Sequence, residues 1–224
     1  MDEANLKELL INGAAELGVS LSDQAADRLF KYKELLKEYN KKVNLTSIVD
    51  DEQIIIKHFL DSLTVVPELK ADARIIDIGT GAGFPGVVLK IALENTDLLL
   101  LDSLNKRIKF LKEVVCELGL SGVECIHARA EELWRKEKGF KEGFDYAVSR
   151  AVAKLSVLSG YCLPYVKING EFIAMKGPDC AEEAEEARKK IKLLGGEVLG
   201  IKQITLPGSD ITHSLVKIKK TGLK

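Results

Sequence analysis

From residue 73 onwards, short apolar runs alternate with segments of helical periodicity, and this alternation restricts the fold more than any other feature. The apolar runs cover 74–79, 98–102, 123–128, 144–149 and 170–177, and the helical patterns cover 86–94, 103–118, 131–137, 152–163 and 180–194. Repeated strand–helix units predict an α/β fold with a parallel sheet covered by helices on both faces. Two last runs, 197–206 and 213–219, have no helix between them and are predicted to form an antiparallel hairpin at one edge.

The N-terminal part has a different pattern. Up to about residue 65 the apolar spacing is that of amphipathic helices, and the third of these helices is predicted from Asp51 to Thr64, before Pro67. We therefore predict a helical extension of residues 1–66, packed on an α/β domain of residues 67–224.

The first predicted strand runs into the glycine-rich stretch IIDIGTGAGFPG, residues 75–86. A strand, a glycine-rich turn and a helix form the nucleotide-binding corner of a doubly wound sheet. A Walker A loop would need Gly-Lys-Ser or Gly-Lys-Thr here, whereas Gly86 is followed by Val87, so that class is excluded.

Two ligands remain for this corner. Gly81-x-Gly83-x-x-Gly86 with Asp102, 21 residues after Gly81, fits a dinucleotide site. The spacing Asp77-x-Gly79-x-Gly81-x-Gly83 fits S-adenosylmethionine, whose cationic sulfonium favours nearby acceptors over a cluster of N–H donors. Asp77 is a candidate partner for the amino group of that ligand, directly or through water. The alternative is a buried carboxylate that only holds the turn.

Further candidates follow the next three strands, at the edge of the sheet where ligands bind in α/β proteins. Asp102 ends the second strand, where a carboxylate can accept both ribose hydroxyls or cap the helix predicted near Ser103. After the third strand, the Ala130 amide and the Glu131 side chain are placed to frame an adenine, while Arg129 and Glu132 are interpreted as surface groups.

Several stretches of the chain resemble one known family. They are NLTSI at 44–48, KHFLDSL at 57–63, DIGTGAGFPG at 77–86, LDSLNKRIKFL at 101–111, RAEEL at 129–133, SRAVAKL at 149–155 and MKG at 175–177. In this order they resemble class I methyltransferases, and more narrowly the glucose-inhibited division protein B family, the small-subunit methyltransferase G that modifies 16S ribosomal RNA. The resemblance implies a Rossmann-like fold with a mostly parallel seven-stranded sheet, and residues 67–224 would be its methyltransferase domain. The last strand, THSLVKIKK, matches only in its apolar alternation, so no functional residue is assigned there.

The resemblance also implies a reaction. It is methyl transfer from S-adenosylmethionine to N7 of a guanine in the decoding-region loop of 16S rRNA. The cofactor residues implied by the matching motifs are Gly79, Phe84, Ala130, Glu131 and Arg150. Our interpretation of the residues themselves adds Asp77, Gly81 and Asp102.

N7 of guanine carries a free lone pair, so no proton has to leave before it attacks a methyl group. We therefore expect no essential general base and expect catalysis by alignment of N7, methyl carbon and sulfur. His58 is interpreted as a helix-packed side chain or an RNA contact, and His127 and His213 as structural. Arg150, directly after the fourth strand, can contact the cofactor or the guanine O6 edge, and the alternative is a structural ion pair.

Candidate RNA contacts are Asn44, in a loop with Thr46 that can cover the site, together with His58, Lys154 and Lys176. The two lysines are predicted to hold phosphates, with ordinary solvated lysines as the alternative. A net charge of −1 argues against binding nucleic acid by charge alone. The expected partner is therefore 16S rRNA in a structured or protein-bound form, such as a small-subunit particle.

Other classes of protein are disfavoured. The sequence contains no run of about 18 apolar residues, so no transmembrane helix is predicted. The acidic N-terminus MDEANLKELL is unlike a secretory signal, and a cytoplasmic location is therefore expected. The four cysteines form no CxxC pair and no metal site is expected; Cys116 and Cys125 are interpreted as small buried hydrophobic residues. The open alternatives are an NAD-dependent oxidoreductase, although no hydride-acceptor constellation is recognisable, and a module that binds S-adenosylmethionine without catalysis.

Overall fold

The computed structural model describes residues 2–150 and 152–222, and in them a seven-stranded sheet with the order β3-β2-β1-β4-β5-β7-β6. The pairs β1–β2, β2–β3, β1–β4 and β4–β5 are parallel, and β7 is antiparallel to both of its neighbours. This confirms the predicted parallel sheet with an antiparallel C-terminal hairpin at one edge. The strands are β1 Arg74–Ile78, β2 Asp97–Asp102, β3 Val123–His127, β4 Phe144–Arg150, β5 Val166–Lys176, β6 Gly196–Thr205 and β7 Thr212–Lys220.

Helices connect these strands as the apolar spacing predicts, with ends that differ by a few residues. Because each parallel crossover needs a helix, the elements alternate along the chain until β6 and β7. The crossover helices are α5 Gly86–Ala92, α6 Asn105–Glu117, α7 Ala130–Lys136, α8 Leu155–Cys162 and α9 Ala181–Leu193, with a 3₁₀ turn at Lys138–Phe140.

The N-terminal part contains α1 (Glu3–Glu16), α2 (Asp23–Val43) and a third helical segment, as predicted. This third segment is not a uniform α-helix. It consists of α3 (Asp51–Ile54), a π-helix at Ile55–Leu60 and α4 (Asp61–Leu63), and a 3₁₀ turn follows at Val66–Glu68. Single π-helical turns inside α-helices occur often at functional sites.

The sheet separates two hydrophobic clusters, because neighbouring residues of a strand point to opposite faces. On β1, Ile75 belongs to the first cluster and Ile76 to the second. The first cluster also contains Leu29, Tyr32 and Phe59 of the N-terminal helices. These helices therefore share a core with the sheet, in agreement with an extension packed on the domain, while the boundary at residue 66 stays a prediction.

Two further features concern the classes considered above. None of the helices in residues 2–150 and 152–222 is long and apolar enough to cross a membrane. In the same residues, no group of three or more His, Cys, Asp or Glu side chains is arranged to hold a metal ion. Cys116 is exposed on α6 and Cys125 is half-buried, so the prediction of two buried thiols was wrong for Cys116. Cys116 follows the buried Val114 by two residues, which places it away from the buried stripe of α6.

Candidate functional site

A cleft of about 500 Å³ opens at the carboxyl ends of β1, β2, β3 and β4. Parallel strands place their carboxyl ends at one edge, so the loops that follow them meet there. The lining contains seven of the eight predicted cofactor residues, namely Gly79, Gly81, Phe84, Asp102, Ala130, Glu131 and Arg150. It also contains Leu45, Thr46, His58, Ile78, Thr80, Ala82, Leu101, Ser103, Arg107, Ala128, Arg129, Val152 and Tyr161.

The loop between β1 and α5 brings bare backbone to the cleft. Gly81 has φ +62°, a conformation that side chains rarely adopt. Within the described residues, a Cβ built there would have only the Gly79 oxygen nearby, at 3.9 Å. Gly79 also has a positive φ, and its Cβ would come within 2.5 Å of Val152 Cγ2. Gly79 thus allows the loop to pack closely, while Gly81 leaves open space for a ligand against the main chain.

Asp77 lies beneath this loop, fully buried and outside the cleft lining. Its Oδ2 accepts hydrogen bonds from Thr80 Oγ1 at 2.7 Å and from the Gly86 amide at 2.8 Å. Burial raises the pKa of Asp77 to about 6, although both hydrogen bonds lower it. These contacts support the alternative interpretation, in which Asp77 holds the turn, and its contact with a cofactor stays a prediction.

The position of Asp77 also bears on the choice between the two ligands. A dinucleotide pyrophosphate needs free amides at the start of the helix after the glycine loop. Pro85 has no N–H, the Gly86 amide donates to Asp77, and the Val87 amide donates to the Gly83 oxygen at 2.8 Å. The first amides of α5 are therefore engaged within the protein, which disfavours NAD.

Asp102 lies in the cleft wall with both carboxylate oxygens in use. Its Oδ2 accepts from the Gly81 amide at 2.9 Å and from Arg107 Nη1 at 3.1 Å, and its Oδ1 accepts from the Leu104 amide at 2.8 Å. Asp102 thus fixes the glycine loop and the turn into α6, while Leu104 occupies the cap position of that helix. A carboxylate oxygen has two lone pairs, so the ribose contact predicted for Asp102 is compatible with these bonds.

The residues that follow β3, at the start of α7, form another part of the cleft. Ala130 and Glu131 lie in the first turn of that helix and line the cleft as predicted. Arg129 lines it too, with its guanidinium 3.7 Å from the Glu131 carboxylate and its side chain 68% exposed. Arg129 is thus a surface group, as interpreted, and it also stands at the rim of the cleft.

Arg150, the last residue of β4, lies on the side of the cleft opposite Asp102 and contacts several neighbouring groups. Its Nη1 donates to the Lys57 oxygen at 2.9 Å and to Asp61 Oδ2 at 2.7 Å, and its guanidinium carbon lies 5.0 Å from the centre of the Phe84 ring. Arg150 therefore forms a structural ion pair with Asp61 and also lines the cleft. The interpretation as a structural ion pair and the interpretation as a contact to cofactor or guanine do not exclude each other.

His58 belongs to the same group of side chains. Its ring stacks on Phe84 with centroids 4.3 Å apart, Nε2 is 3.0 Å from Thr46 Oγ1, and Nδ1 is 3.2 Å from Arg150 Nη2. Burial, reinforced by the Arg150 charge, lowers the pKa of His58 to about 4. Nδ1 also lies 3.1 Å from the Lys57 oxygen, so it accepts from Arg150 when the ring proton is on Nε2 and donates to Lys57 when the proton is on Nδ1. Both ring nitrogens are thus engaged, which supports the helix-packed interpretation over an RNA contact.

Two residues of this network carried no predicted role. Asp61 is buried, and its Oδ1 accepts from Nδ1 of His213 on β7. Burial opposes the ionised form, but the hydrogen bond from His213 and the Arg150 charge hold the pKa of Asp61 below its usual range. Asp61 lies within the quoted motif KHFLDSL, which was the only sequence signal for it, and His213 had been interpreted only as structural.

The glycine loop, the acid after β2 and the apolar floor of Ile78, Phe84 and Leu101 together fit S-adenosylmethionine. Comparison with known proteins supports the assignment of this cofactor. The GidB family, described as rRNA small subunit methyltransferase G, matches residues 25–212. The chain belongs to this family.

Individual proteins give the same result. The chain is 52% identical to the Ribosomal RNA small subunit methyltransferase G of Alkaliphilus oremlandii, over 96% of this chain and 90% of that protein. Among solved structures, M. jannaschii TYW2 in complex with AdoMet is similar over 71% of this chain and 76% of its own, with a TM-score of 0.55 and 12% identity. TrmN from Thermus thermophilus covers 74% of this chain and 53% of its own, with a TM-score of 0.56 and 14% identity. The two structures show the shared fold, and family membership confirms the predicted S-adenosylmethionine-dependent methyltransferase.

In a GidB-family enzyme the remaining question is where RNA approaches. Of the predicted RNA contacts, only His58 lines the cleft. Asn44 is exposed and ends α2 in a left-handed conformation with φ 50°, and Lys154 is exposed at the start of α8. Lys176 is 14% exposed and donates to Glu183 at 2.8 Å and to the Ala153 oxygen at 3.1 Å, which supports an ion-paired lysine rather than a phosphate contact.

Proposed function

We propose that this chain transfers the methyl group of S-adenosylmethionine to N7 of a guanine in the decoding-region loop of 16S rRNA. The substrate class follows the name of its relatives, and the guanine N7 follows the resemblance of its motifs. The observation that supports N7 best is that Asp102 and His58, which both line the cleft, are already engaged in hydrogen bonds with the protein.

The proton balance of the reaction explains why engaged side chains in the cleft support methylation at N7. When N7 attacks the methyl carbon, the carbon–sulfur bond breaks, the positive charge moves from sulfur to the base, and no proton is transferred. Methylation of a ribose hydroxyl or an exocyclic amine would release a proton and benefit from a general base. A site for N7 therefore needs alignment and exclusion of water more than a base.

The side chains of the cleft agree with this requirement. Both ring nitrogens of His58 contact polar atoms of the protein, and with its pKa lowered to about 4 the ring is a weak base. Asp102 already accepts three hydrogen bonds. In the part of the lining that the structure describes, these residues are suited to holding groups in place rather than to taking up a proton.

S-adenosylmethionine supplies the methyl group and a neutral thioether as leaving group. For the protein, we assign Gly79 and Gly81 to close backbone contact, Asp102 to the ribose, and Ala130 with Glu131 to the adenine edge. Phe84 and Arg150 form the wall nearest the end of β4, where the target base would enter. Asn44 and Lys154, exposed outside the cleft, are the proposed RNA contacts that the structure leaves accessible.

The RNA is proposed to be recognised within a small-subunit particle, because a chain with a net charge of −1 has little charge to bind bare RNA. Such a substrate would place the enzyme in the cytoplasm.

The test is methyl transfer from labelled S-adenosylmethionine to small subunits that lack the modification, with naked 16S rRNA in parallel. Digestion to nucleosides should yield labelled 7-methylguanosine, more from particles than from naked RNA, at a single-turnover rate that is flat between about pH 6 and 9. Label in another nucleoside, or a rate that rises tenfold per pH unit, would contradict the N7 assignment. Binding of S-adenosylhomocysteine with no transfer to either substrate would favour the non-catalytic alternative.

A further inference from the structure

Asp61 connects three distant segments of the chain at one point. It begins α4, while Arg150 ends β4 and His213 lies near the start of β7. The sheet register explains how they meet: Arg150 pairs with Met175, and Met175 pairs with Leu215. Because β7 is antiparallel, His213 lies two residues beyond Leu215 towards the carboxyl ends of the parallel strands. Asp61 bridges Arg150 and His213 there.

The two oxygens of the Asp61 carboxylate are divided between these partners. Oδ2 accepts from Arg150 Nη1 at 2.7 Å, and Oδ1 accepts from His213 Nδ1. A carboxylate held at one oxygen can rotate about its Cβ–Cγ bond. His213 therefore fixes the rotation that points Oδ2 at Arg150. The side chains of Asp61 and His213 are 12% and 10% exposed, and neither residue lines the cleft, so they act on a ligand only through Arg150.

The π-helix contributes a second acceptor for Arg150. In an α-helix the Asp61 amide would donate to the Lys57 oxygen, four residues back. Here it donates to Ile56 O and His58 O, and the Lys57 oxygen accepts from Arg150 Nη1 at 2.9 Å. The π-helical turn thus frees the Lys57 carbonyl from its helical hydrogen bond with the Asp61 amide and leaves it to accept from the Arg150 guanidinium.

We propose that Asp61 and His213 are positioning residues of the cofactor site. Together with the Lys57 carbonyl, they hold the Arg150 guanidinium over Phe84, in the one orientation that completes the cleft wall. The inference rests on the proposed role of Arg150 towards S-adenosylmethionine. A buried ion pair contributes little net stability compared with apolar packing, so orientation is the function that this arrangement serves best.

The test measures binding of S-adenosylhomocysteine by calorimetry in the absence of RNA, with the melting temperature of each variant. Three variants are compared with the wild type: Asp61→Asn, His213→Leu and His213→Asn. We expect Asp61→Asn to raise the Kd about tenfold, because Arg150 loses its charged partner. His213→Leu should raise it severalfold, and His213→Asn should restore most of the affinity, because its amide N–H lies about where Nδ1 does.

Asp145→Asn is the matched control. Asp145 lies at the opposite end of β4, accepts from Lys167 at 2.8 Å and from the Arg74 amide at 2.9 Å, and is far from the cleft lining. We expect this variant to change the melting temperature without changing the Kd. If Asp61→Asn does not fold, the two His213 variants decide, since both keep the ion pair.

An unchanged Kd in folded Asp61→Asn, or equal Kd values for His213→Leu and His213→Asn, would overturn the proposal. Because no RNA is present, these outcomes are independent of the substrate. A failure to methylate ribosomal particles would contradict the proposed function and leave the binding result intact.

Discussion

The cleft has two walls that are assembled in different ways. The glycine wall consists of the loop to Gly86 and of Asp102, with Asp77 buried beneath the loop. Its hydrogen bonds join residues 9 and 21 positions apart, for Asp77–Gly86 and Gly81–Asp102. The Arg150 wall consists of Thr46, His58 and Arg150, and it is supported by Lys57, Asp61 and His213, which do not line the cleft. Its hydrogen bonds from Arg150 to Asp61 and to Lys57 join residues 89 and 93 positions apart.

The comparison shows which forces shape each wall. The glycine wall depends on backbone conformations that only glycine adopts easily, and on a strand–turn–helix unit that is local in the sequence. The Arg150 wall depends on charges that are buried together only after the N-terminal helices pack on the sheet. Substitutions in the glycine wall should therefore destabilise the protein through backbone strain. Substitutions in the Arg150 wall should destabilise it by leaving a buried charge unpaired.

The Arg150 wall should respond most strongly to Arg150→Met. Removal of the guanidinium leaves the Asp61 carboxylate buried without its cationic partner, at an expected cost of about 3–5 kcal/mol in the free energy of unfolding. The pKa of His58 should rise from about 4, because the Arg150 charge helps to lower it. Urea denaturation and NMR titration of the His58 ring measure the two effects.

Arg28→Met is the control for this prediction, since the ion pair of Arg28 with Glu94 at 2.6 Å lies at the surface. It should cost less than about 1 kcal/mol. Equal losses for the two variants would mean that the Arg150 wall is not held by buried charge.

The glycine wall should respond to Gly83→Ala. Gly83 has φ +102°, and a Cβ would lie 2.5 Å from the Tyr32 hydroxyl and 2.7 Å from Val87 Cγ2. Backbone strain and overpacking together should cost roughly 2–5 kcal/mol. Gly18 has a similar positive φ, +77°, but no atom of the described residues lies within 4 Å of a Cβ built there. In Gly18→Ala only the strain of roughly 1–2 kcal/mol should therefore remain. Denaturation curves that place both variants at the same stability would contradict the steric part.

Asp77 beneath the glycine wall and His58 in the Arg150 wall are buried groups with large pKa shifts, and the two have opposite effects on stability as pH changes. The pKa of Asp77 is raised from 3.8 to about 6, so stability falls as pH rises across that interval. The pKa of His58 is lowered from 6.5 to about 4, so stability rises as pH rises across nearly the same interval. Each effect is on the order of 3 kcal/mol, at about 1.4 kcal/mol per pKa unit, and they offset each other.

Single substitutions should separate these two effects. Asp77→Asn should leave a stability that increases between pH 4 and 6.5, and His58→Gln should leave one that decreases between pH 4 and 6. Denaturation at several pH values measures both slopes. The same slope in both variants would show that other groups dominate this pH range.

The smallest expected effect lies outside both walls. Lys154→Ala should weaken binding to ribosomal particles by removing one phosphate contact, and should reduce the slope of log K against log salt by about 1. Binding of S-adenosylhomocysteine should not change, because Lys154 does not line the cleft. Lys189→Ala, an exposed lysine on α9, controls for net charge and should leave the slope unaltered.

Much of the fold could be predicted because its signals are local. The alternation of apolar runs and helical patterns placed each strand within a few residues, and the helix-free pair at the end indicated the antiparallel β7. The π-helix at Ile55–Leu60 could not be predicted, since the run IIIKHFL has the same apolar spacing in either kind of helix. Its extra carbonyl partner, Arg150, lies 93 positions away from Lys57.

The candidate site divides in the same way. Seven of the predicted cofactor residues line the cleft. Glycines, strand ends and helix starts indicated most of them in the sequence, and Phe84 came only from the resemblance to the family. The role of Asp77 in holding the turn could not be predicted without knowing that its carboxylate is fully buried and bonded to Gly86, and its contact with a cofactor stays a prediction. The contact between Asp61 and His213 had no signal at all, since neither residue has a repeated spacing that relates it to the other.

The sequence by itself determined the strand–helix alternation, the glycine turn and the acid after β2. These depend on backbone conformation and periodicity, which act over a few residues. The tertiary structure decided that Asp77 faces the turn, that His58 is held neutral, and that Asp61, Arg150 and His213 share one buried point. Those outcomes depend on distance and desolvation, and both are set only when the helices before residue 66 and the last strand pack against the same edge of the sheet.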